Sequence, residues 1–187
     1  NSFTGSLHAG LFTDLTQLRK LFLNNNLFTG PLPPTFADPG AFPELTELNL
    51  FNNIFSGSIP STFAQACPAI EYLHLYNNAF TGTLDPLATG LTGLISLILT
   101  GNTFSGSLPA GLFLHSSETL RYVVAEGVGL SGTLPETIQH ATNLTFLILD
   151  SNDLHGSLLS TIFDLTKLEV LDLSYNTLTG PLPALEH

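Results

Sequence analysis

The residues that could carry catalysis are few and scattered through the chain. Six histidines occupy unlike positions and form no pair at metal-ligand spacing: His8, His74, His115, His140, His155 and His187. The sequence contains no nucleophile elbow, no phosphate-binding loop and no dinucleotide fingerprint. Glu126 and Asp150 could lie one strand apart as an acid and base pair, although an exposed acidic rim explains them as well. We therefore predict a protein that is not an enzyme and needs no metal or cofactor.

Large aromatic side chains occupy positions where a short strand would ordinarily present polar residues to solvent. Contiguous exposed apolar surface marks an interaction site, and tyrosine and phenylalanine are typical anchors of interfaces. Together with two carboxylates and a histidine at equivalent positions, the candidate ligand-binding residues are Phe22, Phe51, Tyr72, His74, Tyr76, Tyr122, Glu126, Phe146 and Asp150. The alternative is that the aromatic residues only reflect the preference of such side chains for strands.

Small hydroxyl side chains flank a recurring glycine and form a second candidate surface. If this segment is extended, the residues before and after the glycine point the same way, about 6.6 Å apart for two residues at roughly 3.3 Å each. The candidate residues are Thr29, Ser56, Ser58, Thr81, Thr83, Ser105, Ser107, Ser131 and Thr133. Such an array resembles the surfaces of solenoidal ice-binding proteins, so the alternative function is an ice-binding or structural solenoid. Pro31, Pro181 and His155 interrupt the array.

All of these positions belong to one repeated unit, of which residues 168–183 are the clearest copy. Aligned on its asparagine, the unit recurs at Asn1, Asn26, Asn53, Asn78, Asn102, Asn152 and Asn176, with Val128 in place of asparagine in one copy. The spacings lie between 24 and 27 residues, which is the period of a leucine-rich-repeat solenoid. Because one coil cannot cover its own apolar sides, the copies must fold as a coupled stack.

The residue pattern within each unit predicts its local structure. Leu171 and Leu173 alternate with Val170, Asp172 and Ser174, and this period of two predicts a short strand with one buried face. Each such strand should pair in a parallel sheet with the strands of neighbouring coils. The asparagine amide would bridge adjacent coils in a buried ladder, and the glycine would allow one coil to pack closely on the next. Proline-led segments such as 60–66 and 135–141 predict short helical or 3-10 turns on the convex side.

The alternation also predicts three columns of residues on the exposed face of the sheet. The first column is Lys20, Glu47, Tyr72, Ser96, Tyr122, Phe146 and Val170. The second is Phe22, Asn49, His74, Ile98, Val124, Ile148 and Asp172. The third is Asn24, Phe51, Tyr76, Thr100, Glu126, Asp150 and Ser174. Glu126, Asp150 and Asp172 give the C-terminal half of this face an acidic edge.

The pattern L-x-x-L-x-L-x-x-N-x-F/L-x-G-x-L/I-P resembles the plant-type leucine-rich repeat of receptor ectodomains and extracellular inhibitor proteins, and it covers nearly the entire chain. The resemblance implies an α/β repeat solenoid: a right-handed coil with a parallel β-sheet on its concave face, and a short second sheet and 3-10 or helical turns on its convex side. It also implies a non-catalytic recognition module, extracellular or at the cell surface, that binds a protein, peptide or polysaccharide on its concave face.

The extent of the repeats gives an expectation for the domain organisation. We expect one solenoid of about seven to eight repeats over residues 1–184, without clear caps. Residues 185–187 are interpreted as the remnant of an expression tag. The solenoid would be part of a larger receptor-like protein and would associate with further repeats or a co-receptor.

Charge and hydropathy narrow the choice of partners. The chain has 15 aspartate and glutamate residues against 4 lysine and arginine residues, a net charge of −11. This balance argues against nucleic acid and against anionic membranes as partners. It would admit a cationic partner, although an acidic surface also serves solubility alone. No run of about 18 apolar residues occurs, so we expect no direct insertion into a membrane.

Three single residues carry further expectations. Cys67 is the one cysteine and is interpreted as a small buried thiol. Asn143 begins the sequon Asn-Leu-Thr and is the candidate glycosylation site of a secreted parent protein. Val128 cannot join the asparagine ladder, and we interpret its coil as a tolerated irregular repeat. The alternative is a local kink that shapes a binding groove.

Overall fold

The computed structural model describes residues 1–182 of the chain, so the predicted solenoid end at residue 184 and the predicted tag remnant lie outside the described residues. Its strands are short, and two of them belong to most coils. In chain order they are β1 (Thr4–Ser6), β2 (Lys20–Phe22), β3 (Leu27–Gly30), β4 (Glu47–Asn49), β5 (Ile54–Ser58), β6 (Tyr72–His74), β7 (Ala79–Gly82), β8 (Ser96–Ile98), β9 (Thr103–Phe104), β10 (Tyr122–Val124), β11 (Ser131–Gly132), β12 (Phe146–Ile148), β13 (Asp153–Ser157), β14 (Val170–Asp172) and β15 (Thr177–Thr179).

The first strand of each coil joins a seven-stranded sheet in the order β14-β12-β10-β8-β6-β4-β2. Every pair in this sheet is parallel, and the central residue of each strand faces the core. In β4, for example, Leu48 is fully buried while Glu47 and Asn49 on either side keep contact with solvent. The alternation therefore confirms the predicted half-buried strand.

Helical turns close the coils on the side opposite this sheet. The α-helices are α1 (Phe63–Ala66) and α2 (Ala110–His115), and the 3-10 helices span Ala9–Phe12, Pro34–Ala37, Asp85–Leu87, Glu136–His140 and Ser160–Asp164. Proline occupies the first turn at Pro34 and Pro86, because its fixed φ fits a helix start and its missing N–H is not needed there. Both segments predicted as helical turns, 60–66 and 135–141, contain such an element.

One continuous core runs through the stacked coils, from Leu7 to Leu165. A row of phenylalanines follows the ladder asparagines and fills it, with ring centroids 5.9 Å apart for Phe28 and Phe55 and 6.1 Å apart for Phe55 and Phe80. Cys67 is buried as predicted, and burial raises the pKa of its thiol to about 12.

The ladder asparagines bridge neighbouring coils through both ends of the amide. The Asn53 nitrogen donates to the carbonyl oxygens of Leu23 in the preceding coil and Leu50 in its own coil, each at 2.9 Å. Its oxygen accepts the Phe28 N–H at 3.1 Å. Equivalent bridges are made by Asn78, Asn102, Asn152 and Asn176. The ladder pairs backbone groups that the turns would otherwise leave without partners.

The repeat glycines lie where the coils approach most closely. A Cβ atom added to Gly82 would stand 2.9 Å from the Cβ of Ser58 in the preceding coil, and the φ of Gly82 is +83°. Both the contact and the left-handed backbone exclude a larger side chain there. This geometry explains why glycine recurs in the unit.

The coil that carries Val128 interrupts one sheet and leaves the other intact. Strand β10 pairs on both sides in the seven-stranded sheet. The second sheet, in contrast, divides into a five-stranded part, β1-β3-β5-β7-β9, and a three-stranded part, β11-β13-β15. Val128 offers no amide to bridge the coils, and Gly129 approaches the Phe104 carbonyl so closely that a Cβ would lie 2.6 Å from its oxygen. The irregular coil therefore stays in the stack while the second sheet breaks beside it.

Candidate ligand-binding surface

The register of the seven-stranded sheet forms the concave face, by which we mean the three predicted columns of solvent-facing residues. Tyr72 pairs with Glu47 on one side and Ser96 on the other, as the first column requires. His74 likewise pairs with Asn49 and Ile98 in the second column. Residues of the third column come two positions after the end of each strand. Backbone hydrogen bonds still join neighbouring coils there, such as that from the Asn52 N–H to the Tyr76 carbonyl at 3.0 Å.

Aromatic rings on this face are paired across neighbouring coils. Phe51 and Tyr76 stack with ring centroids 4.4 Å apart and planes 6° from parallel. Tyr122 and Phe146 stack at 5.2 Å. Tyr122 and Phe22 keep 37% and 54% of their surface exposed, whereas Phe51, Tyr76 and Phe146 are half-buried. The rings thus stand on the solvent side of the sheet and hold one another in place.

A polar cluster lies between the aromatic pairs, at the centre of the face. The Nε2 atom of His74 and the Oγ atom of Ser96 share a hydrogen bond of 2.9 Å, and the ring of Tyr72 meets His74 edge-on. Burial lowers the pKa of His74, and the charge of Glu47 opposes that shift. The side-chain oxygen of Asn49 is buried and has no hydrogen-bond partner within residues 1–182.

Sequence reasoning missed the partners in this cluster. The column assignment placed Ser96 and Asn49 on the exposed face, but the structure buries Ser96 and encloses the Asn49 oxygen. The signal that was available is their position between larger side chains: Ser96 pairs with Tyr72 and Tyr122 across the strands. Small residues between two large ones are covered by them.

Acidic side chains occupy the C-terminal coils of the face. Glu126 and Asp150 stand in adjacent coils, where the Gly127 N–H donates to the Asp150 carbonyl at 3.0 Å. The Ser174 hydroxyl and N–H both donate to Asp172, at 2.6 Å and 3.0 Å, and these bonds lower the pKa of Asp172. Within residues 1–182 no cationic side chain forms a salt bridge with these carboxylates. At the other end of the sheet the Lys20 ammonium donates to Glu47 at 2.7 Å.

A second ladder of asparagines borders the face and was not foreseen. The Asn52 side-chain nitrogen donates to the Asn25 side-chain oxygen at 2.7 Å, and Asn77 donates in the same way to Asn52 at 2.8 Å. All three adopt a left-handed backbone, with φ between 53° and 56°. The sequence indicates this second ladder by a pair of consecutive asparagines in three coils, of which the second belongs to the buried ladder. The first adopts the left-handed conformation, which asparagine tolerates better than most residues.

The predicted hydroxyl residues lie in the strands of the second sheet or just beyond their ends, and they are exposed or half-buried. Their two columns do not stack in straight lines. The register is offset, so that Ser58 pairs with Thr81, and Thr81 pairs with Thr103. Thr29 pairs with Ile54, whose side chain is 50% exposed. Apolar side chains therefore stand among the hydroxyl groups on this surface.

The remaining single-residue predictions have distinct surroundings. The Asn143 side-chain nitrogen donates to the Glu118 carbonyl at 2.6 Å, and its oxygen accepts from the Lys167 ammonium. Its glycosylation stays a prediction. No group of three or more His, Cys, Asp or Glu side chains within residues 1–182 could hold a metal ion. In the same range none of the helices has the length and apolar character needed to cross a membrane.

Comparisons with known proteins agree with this architecture. The family model described as Leucine Rich Repeat matches residues 17–38, 44–66 and 167–186. The crystal structure of a Pollen Receptor Kinase 3 is 32% identical over 93% of this chain and 69% of that chain, with a TM-score of 0.55. The chain belongs to the plant-type leucine-rich-repeat family. A search of curated protein sequences gives no match to this leucine-rich-repeat chain.

Two further structures are similar to this leucine-rich-repeat solenoid. The Arabidopsis receptor kinase HAESA, in complex with the peptide hormone IDA and the co-receptor SERK1, is 31% identical over 98% of this chain, with a TM-score of 0.88. A plant ice-binding protein is 28% identical over 98% of this chain, with a TM-score of 0.78. The chain spans 30% of the length of the HAESA chain and 56% of that of the ice-binding protein.

Proposed function

We propose that this leucine-rich-repeat solenoid is a non-catalytic recognition module of an extracellular or cell-surface protein, with a peptide or protein ligand on its concave face. The observation that carries the proposal is the pair of aromatic stacks, Phe51–Tyr76 and Tyr122–Phe146, on the solvent side of the sheet. The similarity to HAESA, a receptor kinase crystallised with a peptide hormone, supports a peptide as the ligand class.

Binding would rest on side chains that are ordered before the ligand arrives. Parallel strands fix the backbone, stacking fixes the rings, and the His74–Ser96 bond fixes the centre of the face. A surface of this kind loses little conformational entropy when a ligand is bound, so more of the contact energy appears as affinity. Tyrosine and phenylalanine add large contact areas with few rotatable bonds.

The test uses a library of random twelve-residue peptides displayed on phage and selected on the purified protein. Peptides that bind should lose at least about tenfold in affinity on the double variant Tyr72→Ala, Tyr76→Ala, because interface anchors of this type contribute more than 1.4 kcal/mol. The matched control is Thr81→Leu with Thr83→Tyr on the second sheet, which should leave affinity unchanged. Equal affinity for the wild type and the tyrosine variant, with both proteins folded by circular dichroism, would refute the proposal.

Ice binding is the second candidate, favoured by the similarity to the plant ice-binding protein and by the exposed hydroxyl residues of the second sheet. Thr81→Leu with Thr83→Tyr should then abolish inhibition of ice recrystallisation, whereas the tyrosine variant should retain it. The offset register and the exposed side chains of Leu27 and Ile54 speak against a flat array of hydroxyl groups. An inactive wild-type protein in the same assay would dismiss this candidate.

A further inference from the structure

We propose that the ligand of the concave face is an extended basic peptide, with an apolar or aromatic side chain on the Phe51–Tyr76 stack and a lysine or arginine at the acidic end of the face. This inference rests on the proposed function and adds the chemistry and placement of the ligand. The acidic end is defined by Glu126, Asp150 and Asp172, which stand in three successive coils.

None of these three carboxylates forms an ion pair within residues 1–182, although Asp150 and Asp172 accept hydrogen bonds from Ser151 and Ser174. Four basic side chains exist in the whole chain, Arg19, Lys20, Arg121 and Lys167. Arg19 lies 3.7 Å from Glu44, Lys20 lies 2.7 Å from Glu47, and Lys167 contacts Asn143. None of these three cations bonds to a carboxylate of the acidic end.

Arg121 is the fourth basic residue, and it lies at the N-terminal end of β10, on the opposite side of the strand from Glu126. It precedes Tyr122 at the entry to β10, whereas Glu126 follows the strand five residues later. Five extended residues span about 16 Å, which exceeds the screening length of about 10 Å at 0.1 M salt. The three carboxylates, in contrast, are closer together: Asp150 lies about 5 Å from Glu126 and about 8 Å from Asp172, and Glu126 and Asp172 lie about 12 Å apart, so they form one negative patch.

The position of the aromatic stack relative to this patch gives the spacing of the two ligand side chains. Tyr76 and Glu126 belong to the third column and are two coils apart, and Asp150 is one coil further. At roughly 4.8 Å for each coil these separations are about 10 Å and 14 Å. An extended peptide rises about 3.3 Å for each residue, so the basic residue should stand three to five positions from the apolar anchor.

The irregular coil strengthens the assignment of Glu126 to the ligand. In this coil the Glu126 N–H donates to the Thr100 hydroxyl at 3.3 Å, and two glycines follow within three residues, at 127 and 129. Its side chain is exposed. A carboxylate on such a turn can orient toward a cation on the concave face.

The phage selection described above tests the inference directly, with subtraction of phage that also bind the Tyr72→Ala, Tyr76→Ala variant. We expect the enriched peptides to carry a lysine or arginine three to five positions from a tryptophan, phenylalanine, tyrosine, leucine or isoleucine. A synthetic peptide of the most enriched sequence then serves as the probe for affinity and association rate at 50 mM and 500 mM salt. Charge steering makes the association rate fall with salt.

A charge-neutralising variant and its matched control locate the effect. Glu126→Gln, Asp150→Asn and Asp172→Asn together should lower the affinity of the probe about tenfold, which is the low end of the gain in association rate that electrostatic steering gives. The triple variant should also flatten the salt dependence of the association rate. Asp14→Asn, Asp38→Asn and Asp164→Asn change the net charge equally at exposed positions away from the concave face. This control should alter the affinity by less than about twofold.

The outcomes separate this inference from the proposed function. Enriched peptides that need the two tyrosines but are neutral or acidic near the predicted spacing would overturn the inference and leave the proposed function standing. An equal loss of affinity in the two charge variants would also overturn it, because only net charge would then matter. If the subtraction leaves no peptide, because every binder also binds the tyrosine variant, both the inference and the peptide form of the proposal are overturned. Binding of plant cell-wall polysaccharides in place of any peptide would have the same consequence.

Discussion

Replacing Asn78 with valine, the residue that this chain itself has at position 128, isolates the contribution of one rung of the buried ladder. Asn78 lies between the coils that contain β5 and β7, near the middle of the solenoid. Valine keeps a branched side chain in the core and removes the amide, so the change is mainly the loss of hydrogen bonds.

The structure gives the size of the expected loss. The Asn78 side-chain nitrogen donates to the carbonyl oxygens of Leu50 and Leu75 at 3.0 Å, and its oxygen accepts the Phe55 N–H at 3.0 Å. Valine leaves these three enclosed backbone groups without that partner. At about 1 kcal/mol for each lost bond, and more where a buried group stays unpaired, the free energy of unfolding should fall by about 3 kcal/mol.

Urea unfolding followed by circular dichroism measures this change, with the wild type and Asn77→Gly run in parallel. Asn77 makes one side-chain bond on the surface, to Asn52, and glycine keeps its left-handed backbone, as Gly101 does at the equivalent position of the next coil. The control should therefore lose less than about 1 kcal/mol. A loss below about 1 kcal/mol for Asn78→Val, or equal losses for the two variants, would refute the reasoning about the ladder.

Two other predictions follow from close packing and from titration. Gly82→Ala should lower the melting temperature more than Gly40→Ala, because both residues have a positive φ but only the alanine at 82 would meet a neighbour, 2.9 Å from the Ser58 Cβ. Equal losses in differential scanning calorimetry would contradict the contact. Burial lowers the pKa of His74, so the unfolded chain binds its proton first and stability should fall as the pH drops through about 6.5. His74→Gln should flatten this part of the stability curve in urea unfolding between pH 5 and 7.5, and an unchanged slope would exclude His74 as the titrating group.

The residue columns of the concave face were predictable because the alternation that sets them depends only on residues close together in the sequence. A strand with a period of two that recurs every 24 to 27 residues can pair in register in one way if every buried leucine is to reach the core. The observed partners of Tyr72 and His74 are those that this rule requires. The ladder asparagines and the helical turns followed for the same reason, since each depends on a few adjacent residues.

The second sheet was less predictable because no row of large buried side chains fixes its register. Its offset pairing, such as Thr29 beside Ile54, depends on how far each coil is displaced when it packs on the one before. The break beside Val128 is a consequence of the same packing. The valine at position 128 indicated where the asparagine ladder is interrupted. That the second sheet divides there, and not the seven-stranded sheet, depended on the backbone of the neighbouring coil.

The sequence by itself determined the repeat, the half-buried strands, the ladder and the identity of the exposed columns, because each arises from a periodic pattern that only one geometry can bury. Tertiary structure alone decided which side chains of the concave face contact one another, such as Phe51 with Tyr76 and His74 with the buried Ser96, and it left three carboxylates without an ion pair within residues 1–182. These pairings join residues more than 20 positions apart through side-chain conformations. Such conformations are set by volume and hydrogen bonding in the assembled stack, which no local pattern encodes.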